Sequence, residues 1–568
     1  MRKSSILFAI LLLLSTFLAA CGGEKSSTEK NKGEDEKEEV KEGGIVTYAF
    51  AQPFAGILER GHYEGEDDDH ALYFMTEGLV RTGDDLMPEP NLAEWEVSND
   101  NRTITFHIKK GVKWHNGEEL TAHDMVYTWE VIAHPDYTGK RYTNVKMIEG
   151  AEAYNKGKAD NISGIKIIDD HTVAVTVTTP APNTLSELWT YPMPKAHLEN
   201  VPVKEIAESD QVRKNPVGLG PFKVKNIVPG EMIEFERFDD YWKGKPHLDG
   251  VIYKVVDGSM AGDLLLQGEI DIVTLPGAQA VKLKEEEKIN LIEVEALSYS
   301  YLGFKLGHWD SKKKQNIMDQ PKFADKKLRQ AFAYALDRQG MIDSFSEGYG
   351  TVINAPEALI SWAFPDEKKL IQYDYNPDKA KKMLDELGYK DTNDDGFRED
   401  PAGKEFTVNL LVMSGSEIAE PRAQYIIQNL KDVGIKARLQ GGRLHDFNVF
   451  YDLIEEDDKE VELFLGAWGL SNDPDPTGLW KIDDIWNFPR WVNEKSEELI
   501  EKGISEEAMD QNVRKQIYQE WHEIFNEELP LIPLWSPIDV YGINKNVKNV
   551  QPRFSTGAED SHLWWRSD

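Results

Sequence analysis

"LAEWEVSNDNRTITFHIKKGVKWHNGEELTAHDMVYTWE", residues 92–130, changes its hydrophobic period once along its length. Ile104, Phe106 and Ile108 alternate with polar residues, the period-two pattern of a half-buried strand. Asn116-Gly117 then marks a turn. Thr121 with Asp124 three residues on makes a capping box, and the helix it opens buries Val126 and Trp129. A strand, a turn and a capped helix in so short a span are the unit of a mixed α/β protein.

The same punctuation recurs along the chain. "IKIIDDHTVAVTVTTP" (165–180) reads as a β-hairpin with Asp169-Asp170 at the turn and Val173, Val175 and Val177 on one face. "KVKNIV" and "MIEFERF" read as strands on either side of Pro229-Gly230, and Gly218, Gly220 and Pro221 as a sharp bend before them. Asp325 caps a helix that carries Leu328, Phe332, Ala335 and Leu336 on one side. Asn376-Pro377 opens a helix that Gly388 ends. A further helix runs from Pro421 to about Val433, stops at Gly434 and leads into a strand with Ile435, Ala437 and Leu439. No internal repeat and no low-complexity segment follows residue 42. The expected class is α/β, layered in at least two lobes.

Composition narrows the function. The chain has 568 residues and a formal net charge of −35. Residues 1–42 hold eight acidic and seven basic side chains, which leaves −34 on the remainder. So acidic a body argues against nucleic acid and against an anionic membrane surface as face-on partners. Nothing resembles His-Glu-x-x-His or Gly-x-Ser-x-Gly, and no cysteine nucleophile follows residue 21, so no enzyme is expected. A surface hydrolase built on paired carboxylates stays open only because there are 100 acidic residues and nothing singles out a pair.

The only cysteine, Cys21, closes an apolar run that starts at Ile6 behind Arg2 and Lys3. The run is short of the ~20 residues that a membrane span needs. A basic start, a short apolar core and small residues before a cut describe a signal peptide over residues 1–20. Leu18-Ala19-Ala20-Cys21 resembles a bacterial lipoprotein processing site, which implies a lipid on the Cys21 sulfur. Residues 22–42 are almost free of apolar side chains and read as a charged tether with a reach of roughly 25 Å.

Four stretches together resemble the peptide- and nickel-type solute-binding proteins of ABC importers. They are residues 92–130, 215–256 and 323–350, and the pair "WGLSNDPDP" (468–476) and "LPLIPLWSPIDVYGINK" (529–545). The subtype they resemble most is the oligopeptide-binding lipoproteins of Gram-positive bacteria. The resemblance implies a two-lobed, hinged periplasmic-binding-protein-like fold with an inserted domain, three domains in all. Domain I takes 43–83, 218–305 and 538–568, domain II 84–217, and domain III 306–537. Arg329 and Asp337 are expected to be scaffold residues paired within or beside their helix.

The implied activity is capture of extracellular oligopeptides in the cleft and delivery to ABC permease subunits, by a monomer anchored to the outer face of the membrane through Cys21. An oligosaccharide or a metal chelate is the alternative ligand on the same fold. A peptide of varied sequence must be held by its backbone, added as a strand to an exposed edge. The family resemblance assigns such an edge to Gly466–Gly469, with the first strand near Phe54 and the strand at 299–305 also approaching the ligand. The expected ligand-binding residues are Phe54, Tyr299, Tyr301, Phe304, Trp468, Gly469, Asp473 and Trp535. Where relatives place an aspartate for the peptide amine, four residues before Pro474, this chain has Leu470, so Asp473 or Asp475 is left to substitute or to make a turn.

"DTNDDGFRED" (391–400) puts Asp391, Asn393 and Asp395 at alternate positions before Gly396, with the Phe397 carbonyl and Glu399 following. That is the oxygen spacing of a calcium loop, although Ala402 stands where an EF-hand has its closing glutamate. The loop is either a structural calcium site or a plain Asp/Asn/Gly turn. No other cofactor is expected.

Overall fold

The alternation of Ile104, Phe106 and Ile108 sets the face of a strand, Thr103–Ile108, in which all three are buried. It lies in a four-stranded antiparallel sheet ordered Ala93–Val97, Thr103–Ile108, Thr172–Thr176, Ile165–Asp169. The hairpin pairs Asp169 with Thr172, so Asp170 and His171 make its turn and Asp169 is the last paired residue. The helix Ala122–Ala133 covers this sheet from a complete Thr121/Asp124 capping box. Trp129 is fully buried under it and donates its indole N–H to the Trp189 carbonyl at 2.8 Å, while Val126 is only half-buried. The computed structural model describes residues 39–63, 65–553 and 557–567, and the elements lie in the compact unit Val40–Asp568.

A larger mixed sheet runs through the rest. Its order is Lys436–Leu439, Thr407–Val412, Leu463–Gly469, Ser298–Phe304, Leu531–Asn544, Ile272–Leu275, Ile45–Phe50, Gly250–Val255, Met232–Arg237, Phe222–Val228. Leu531–Asn544 is the strand that joins its two halves. Residues 531–535 pair with Ser298–Phe304, and residues 538–544 pair with Ile272–Leu275 and Ile289–Glu295. Pro533 and Pro537 fall where the strand passes from one half to the other, and a register shift sits opposite at Ser300/Tyr301. A second crossing is the short link from Ile289–Glu295 to Ser298–Phe304. Two strands therefore pass between the halves, the geometry of a hinge.

Separate hydrophobic cores confirm separate lobes. One gathers around Trp129, Phe106 and Val173, another around Tyr48, Phe74 and Tyr253. The largest gathers around Phe332, Leu410, Phe464 and Trp521. Caps read from the sequence hold the helices of that last core. Asp325 accepts from the Lys327 amide at 2.8 Å, Asn376 accepts from the Lys379 amide at 2.9 Å, and Gly388 and Gly434 take the left-handed conformation beyond their helix ends. The helix expected from Pro421 begins two residues earlier, as Ala419–Asp432.

Arg329 and Asp337 are scaffold residues with partners within or beside their helix. They do not pair with each other. The fully buried Arg329 guanidinium donates to the carbonyls of Phe323, Ala324, Glu528 and Leu529, while Asp337 caps the next helix at the Gly340 amide and accepts from the Tyr425 hydroxyl. Gly218 and Gly220 serve close approach, not left-handed backbone. A Cβ on Gly218 would stand 1.8 Å from the Met75 carbonyl oxygen and one on Gly220 2.6 Å from the Met75 carbonyl carbon. His115 staples the same crossing: Nδ1 accepts from the Gly218 amide at 3.1 Å and Nε2–H donates to the Gly220 carbonyl at 3.0 Å. Burial pushes its pKa down to about 4, which keeps the ring neutral.

Candidate ligand-binding site

The two crossings meet at a cavity of about 550 Å³. Ala296, Leu297 and Ser298 from one crossing and Asp539 from the other line its floor. Tyr73, Thr76 and Val80 form one wall, and Gly469, Leu470 and Asn472 the other. The lobes touch beside it, where the Asn472 amide donates to the Thr82 hydroxyl at 3.0 Å and the Asn183 amide reaches Asp475 at 3.3 Å.

Backbone supplies the most distinctive surface. The strand Leu463–Gly469 pairs along its full length with Ser298–Phe304. On its other side Thr407–Val412 stops at the Val412–Leu465 pair, so among the described residues no strand covers Gly466 to Gly469. Ala467 and Gly469 are exposed there, and Gly469 faces the cavity. An uncovered edge presents unpaired N–H and C=O groups to any extended chain.

The electrostatics are one-sided. Each basic side chain in the lining already faces a carboxylate: Arg81 meets Glu89 at 2.9 Å, Lys243 meets Glu77 at 3.5 Å, and Arg553 meets Asp84 at 3.0 Å and Asp560 at 3.2 Å. Asp539 has no hydrogen bond or ion pair among the described residues, and desolvation in the cleft pushes its carboxyl up. Glu66 is pushed up as well, by desolvation and then by Asp67, Asp69 and Asp539. His70 lies 3.6 Å from Glu66, but burial lowers its pKa to about 4, so the contact is no ion pair at neutral pH. Behind the wall Arg60 pairs with Asp69 and stacks over Tyr73 at 4.4 Å and Tyr191 at 4.8 Å, fixing the two rings that face the cavity.

The residues singled out from the sequence separate clearly. Gly469 lies on the cavity. Trp468 is half-buried beside it, stacked on Phe488 at 5.2 Å and on Tyr301 at 6.3 Å. Tyr299, Tyr301, Phe304 and Trp535 are buried in the largest core and do not line the cavity. Phe304 packs against Phe323 and Phe332, and the strand that carries the first three is paired on both sides, so it offers no free edge. Phe54 is core too, 6.2 Å from Tyr253. Asp473 is corrected from an amine anchor to a structural group: Arg514 grips both its oxygens at 2.6 Å in a buried bidentate pair. Asp475 is engaged by Thr477 and Asn183.

Tyr73, Asn472 and Asp539 were not picked out from the sequence. Asp539 had a signal, being the only charge in the apolar run Leu531–Ile543. Asn472 shares a loop with Asp473, and only the fold says which of the two faces the cleft.

In the loop 391–400 the side chains turn onto the loop itself. Asp391 accepts from the amides of Asp394 and Gly396, Asn393 from Asp395, and Asp395 from Phe397. Glu399 is buried and takes the Thr392 amide and hydroxyl and the Asn393 side-chain amide. Among the described residues no three His, Cys, Asp or Glu side chains are grouped to hold a metal ion. Cys21, the expected signal peptide and most of the tether lie outside the described residues, and among the described residues no helix is long and apolar enough to cross a membrane.

Two lobes joined by crossing strands, with a cavity and an open backbone edge between them, define a protein that binds a solute between its lobes. Comparison gives the family. The model described as bacterial extracellular solute-binding proteins, family 5, middle, matches residues 87–487, and the chain belongs to that family, whose members bind substrates and are not enzymes. The chain is 31% identical over 579 residues to the oligopeptide-binding protein AppA of Bacillus subtilis, covering 99% of each protein. It is 26% identical to the oligopeptide-binding protein OppA of Lactococcus lactis subsp. cremoris, over 98% of this chain and 97% of that one. The structure of the Bacillus protein in complex with a nonapeptide superposes with a TM-score of 0.71 at 26% identity, covering 93% of this chain and all of that one. Lactococcal OppA, closed on an endogenous peptide, superposes with a TM-score of 0.74 at 26% identity, over 92% and 99% of the two chains.

Proposed function

We propose that this protein captures oligopeptides outside the cell and delivers them to the permease of an ABC importer. The uncovered edge at Gly466–Gly469, ending on the cavity between the lobes, carries this reading, because an extended peptide of any sequence can add to it as a strand. The relatives known as oligopeptide-binding proteins support the same ligand class. The protein works as a monomer. Its lobes follow the division into 43–83 with 218–305 and 538–568, 84–217, and 306–537. A lipid on Cys21 holds it at the outer face of the membrane, with residues 22–42 as the tether.

Native mass spectrometry of protein lacking residues 1–21, purified without refolding, tests the ligand class. Co-purified masses spaced by amino-acid residues support it, and hexose spacing or a lone chelate refutes it. Cys21→Ser tests the anchor, since the variant should leave the membrane fraction and lose incorporation of labelled palmitate.

A further inference from the structure

A second cavity, of about 170 Å³, lies beside the first and shares Val80, Arg81, Thr82, Tyr191 and Asn472 with it. Asn472 reaches it from the opposite lobe through its bond to Thr82, so the pocket is complete only when the lobes meet. At about 30 Å³ per water it has room for about six waters, the space of one long side chain. Leu86, Pro88, Leu185, Leu188 and Trp189 give it an apolar wall. One acid, Glu187, completes the lining, and its carboxylate has no hydrogen bond or ion pair among the described residues.

Two of the neighbouring cations are committed elsewhere, and the third, Lys146, is exposed to solvent and exerts the smallest pull on Glu187. Arg81, also in the lining, is held by Glu89, and Arg514 is held by both oxygens of Asp473. Glu187 is half-buried, and desolvation, then Asp473 and Asp475, push its carboxyl up against the smaller pull of Arg514 and Lys146. An unpaired carboxylate in such a place is relieved by a cation brought from outside, while a second anion would add like-charge repulsion. A ligand with an aliphatic stem and a positive tip satisfies both walls at once.

We propose that this pocket selects one basic side chain, lysine or arginine, of the bound peptide, with Glu187 as the residue that determines the preference. The inference rests on the peptide reading above and adds a charge and a place to it. Glu187 acts by accepting the hydrogen bond of the incoming cation, a charge-assisted contact made only in the closed protein.

The test is calorimetric titration of ligand-free, otherwise intact protein with alanine- and serine-based nonapeptides. Lysine, norleucine or glutamate is placed at each position in turn. At one position lysine should bind about tenfold tighter than norleucine, with glutamate weakest, and Glu187→Gln should erase the difference between lysine and norleucine. Glu187→Ala gives the same reading if the glutamine variant does not fold. Parent peptides that bind with no position favouring lysine, or a lysine preference that survives both variants, would overturn the pocket assignment and leave the peptide reading intact. If no nonapeptide binds at all, both fall. Sequencing the peptides that co-purify with the wild-type protein reads the preference without any variant: lysine or arginine enriched at one position supports it, and no enrichment overturns it.

Discussion

Gly466 and Gly469 lie three residues apart in one strand, and the structure assigns them opposite roles. A Cβ on Gly469 has no heavy atom within 4 Å, and the residue is not in the left-handed conformation, so a side chain can start there with neither clash at Cβ nor backbone strain. In Gly469→Leu the side chain instead enters the cavity and takes the space of roughly three waters, ~90 Å³ of the available volume. A ligand backbone pushed off this edge loses about two to four hydrogen bonds. At ~1 kcal/mol each that is ~2–4 kcal/mol, or roughly 30- to 1000-fold in Kd. Gly466→Ala has no such freedom. Its Cβ would stand 2.7 Å from both Cζ and the hydroxyl oxygen of Tyr301, whose ring is held edge-on to Phe464 and stacked with Trp468. Overpacking of that kind costs about 1–3 kcal/mol of stability. Titration with the co-purified peptide and urea unfolding separate the two effects. Gly469→Leu should lose affinity at wild-type stability, and Gly466→Ala should lose stability. Wild-type affinity in Gly469→Leu, or an equal loss of stability in both variants, would refute the assignment of this edge to the ligand.

Three further outcomes follow from buried or bridging polar groups. Asp473→Ala leaves the Arg514 guanidinium buried without its partner and should cost about 3–5 kcal/mol in urea unfolding, whereas an amine-anchoring role would lower affinity in a protein of unchanged stability. Asn183→Ala combined with Asn472→Ala removes two bonds across the lobes and should speed ligand release by roughly 3- to 30-fold in stopped flow, with the association rate nearly unchanged. Glu357 is buried 4.0 Å from His522, and desolvation raises its pKa to about 8 while burial lowers that of His522 to about 3, so the pair is neutral at pH 7 and no ion pair. Between pH 4.5 and about 8 the folded protein holds a proton on Glu357 that the unfolded chain has released, so the contribution of Glu357 falls as pH rises, offset below pH 6.5 by His522, which is protonated only in the unfolded chain. Glu357→Gln should flatten that fall in unfolding midpoints measured from pH 5 to 8, and an unchanged slope would contradict the neutral pair.

How much of this could be read from the sequence depends on how local the governing chemistry is. Thr121 with Asp124, Asn376 with Pro377 and Gly388, and Pro229-Gly230 act on backbone a few residues away, and all hold in the fold. The aromatic side chains were harder to place. Tyr299 and Tyr301 share one face of a strand, and alternation identifies that face without saying whether a cleft or a core covers it. Core is the commoner outcome for a large aromatic residue on a central strand, and it is the outcome here. The opposite signal, a lone charge in an apolar strand, marked Asp539 in the cavity. The bond between Asn472 and Thr82 joins residues 390 apart in the chain, and neither carries a local mark of it.

That distance bears on how binding drives closure. A ligand shifts a two-state hinge only by its difference in affinity for the two states. Ser298 and Asp539 belong to the crossing strands, so contacts to them alone need no movement of one lobe against the other and bias the hinge little. Tyr73 and Asn472 stand on opposite walls, and a ligand touching both gains the second contact only when the lobes meet. The closing free energy therefore comes from the walls, while the crossings and the open edge supply affinity common to both states. Substitutions at Asp539 should weaken binding with closure nearly unchanged, and substitutions at Asn472 should weaken the two together. Small-angle scattering of each variant at saturating peptide distinguishes these cases, and an Asn472 variant that closes as fully as wild type would break the division between floor and wall.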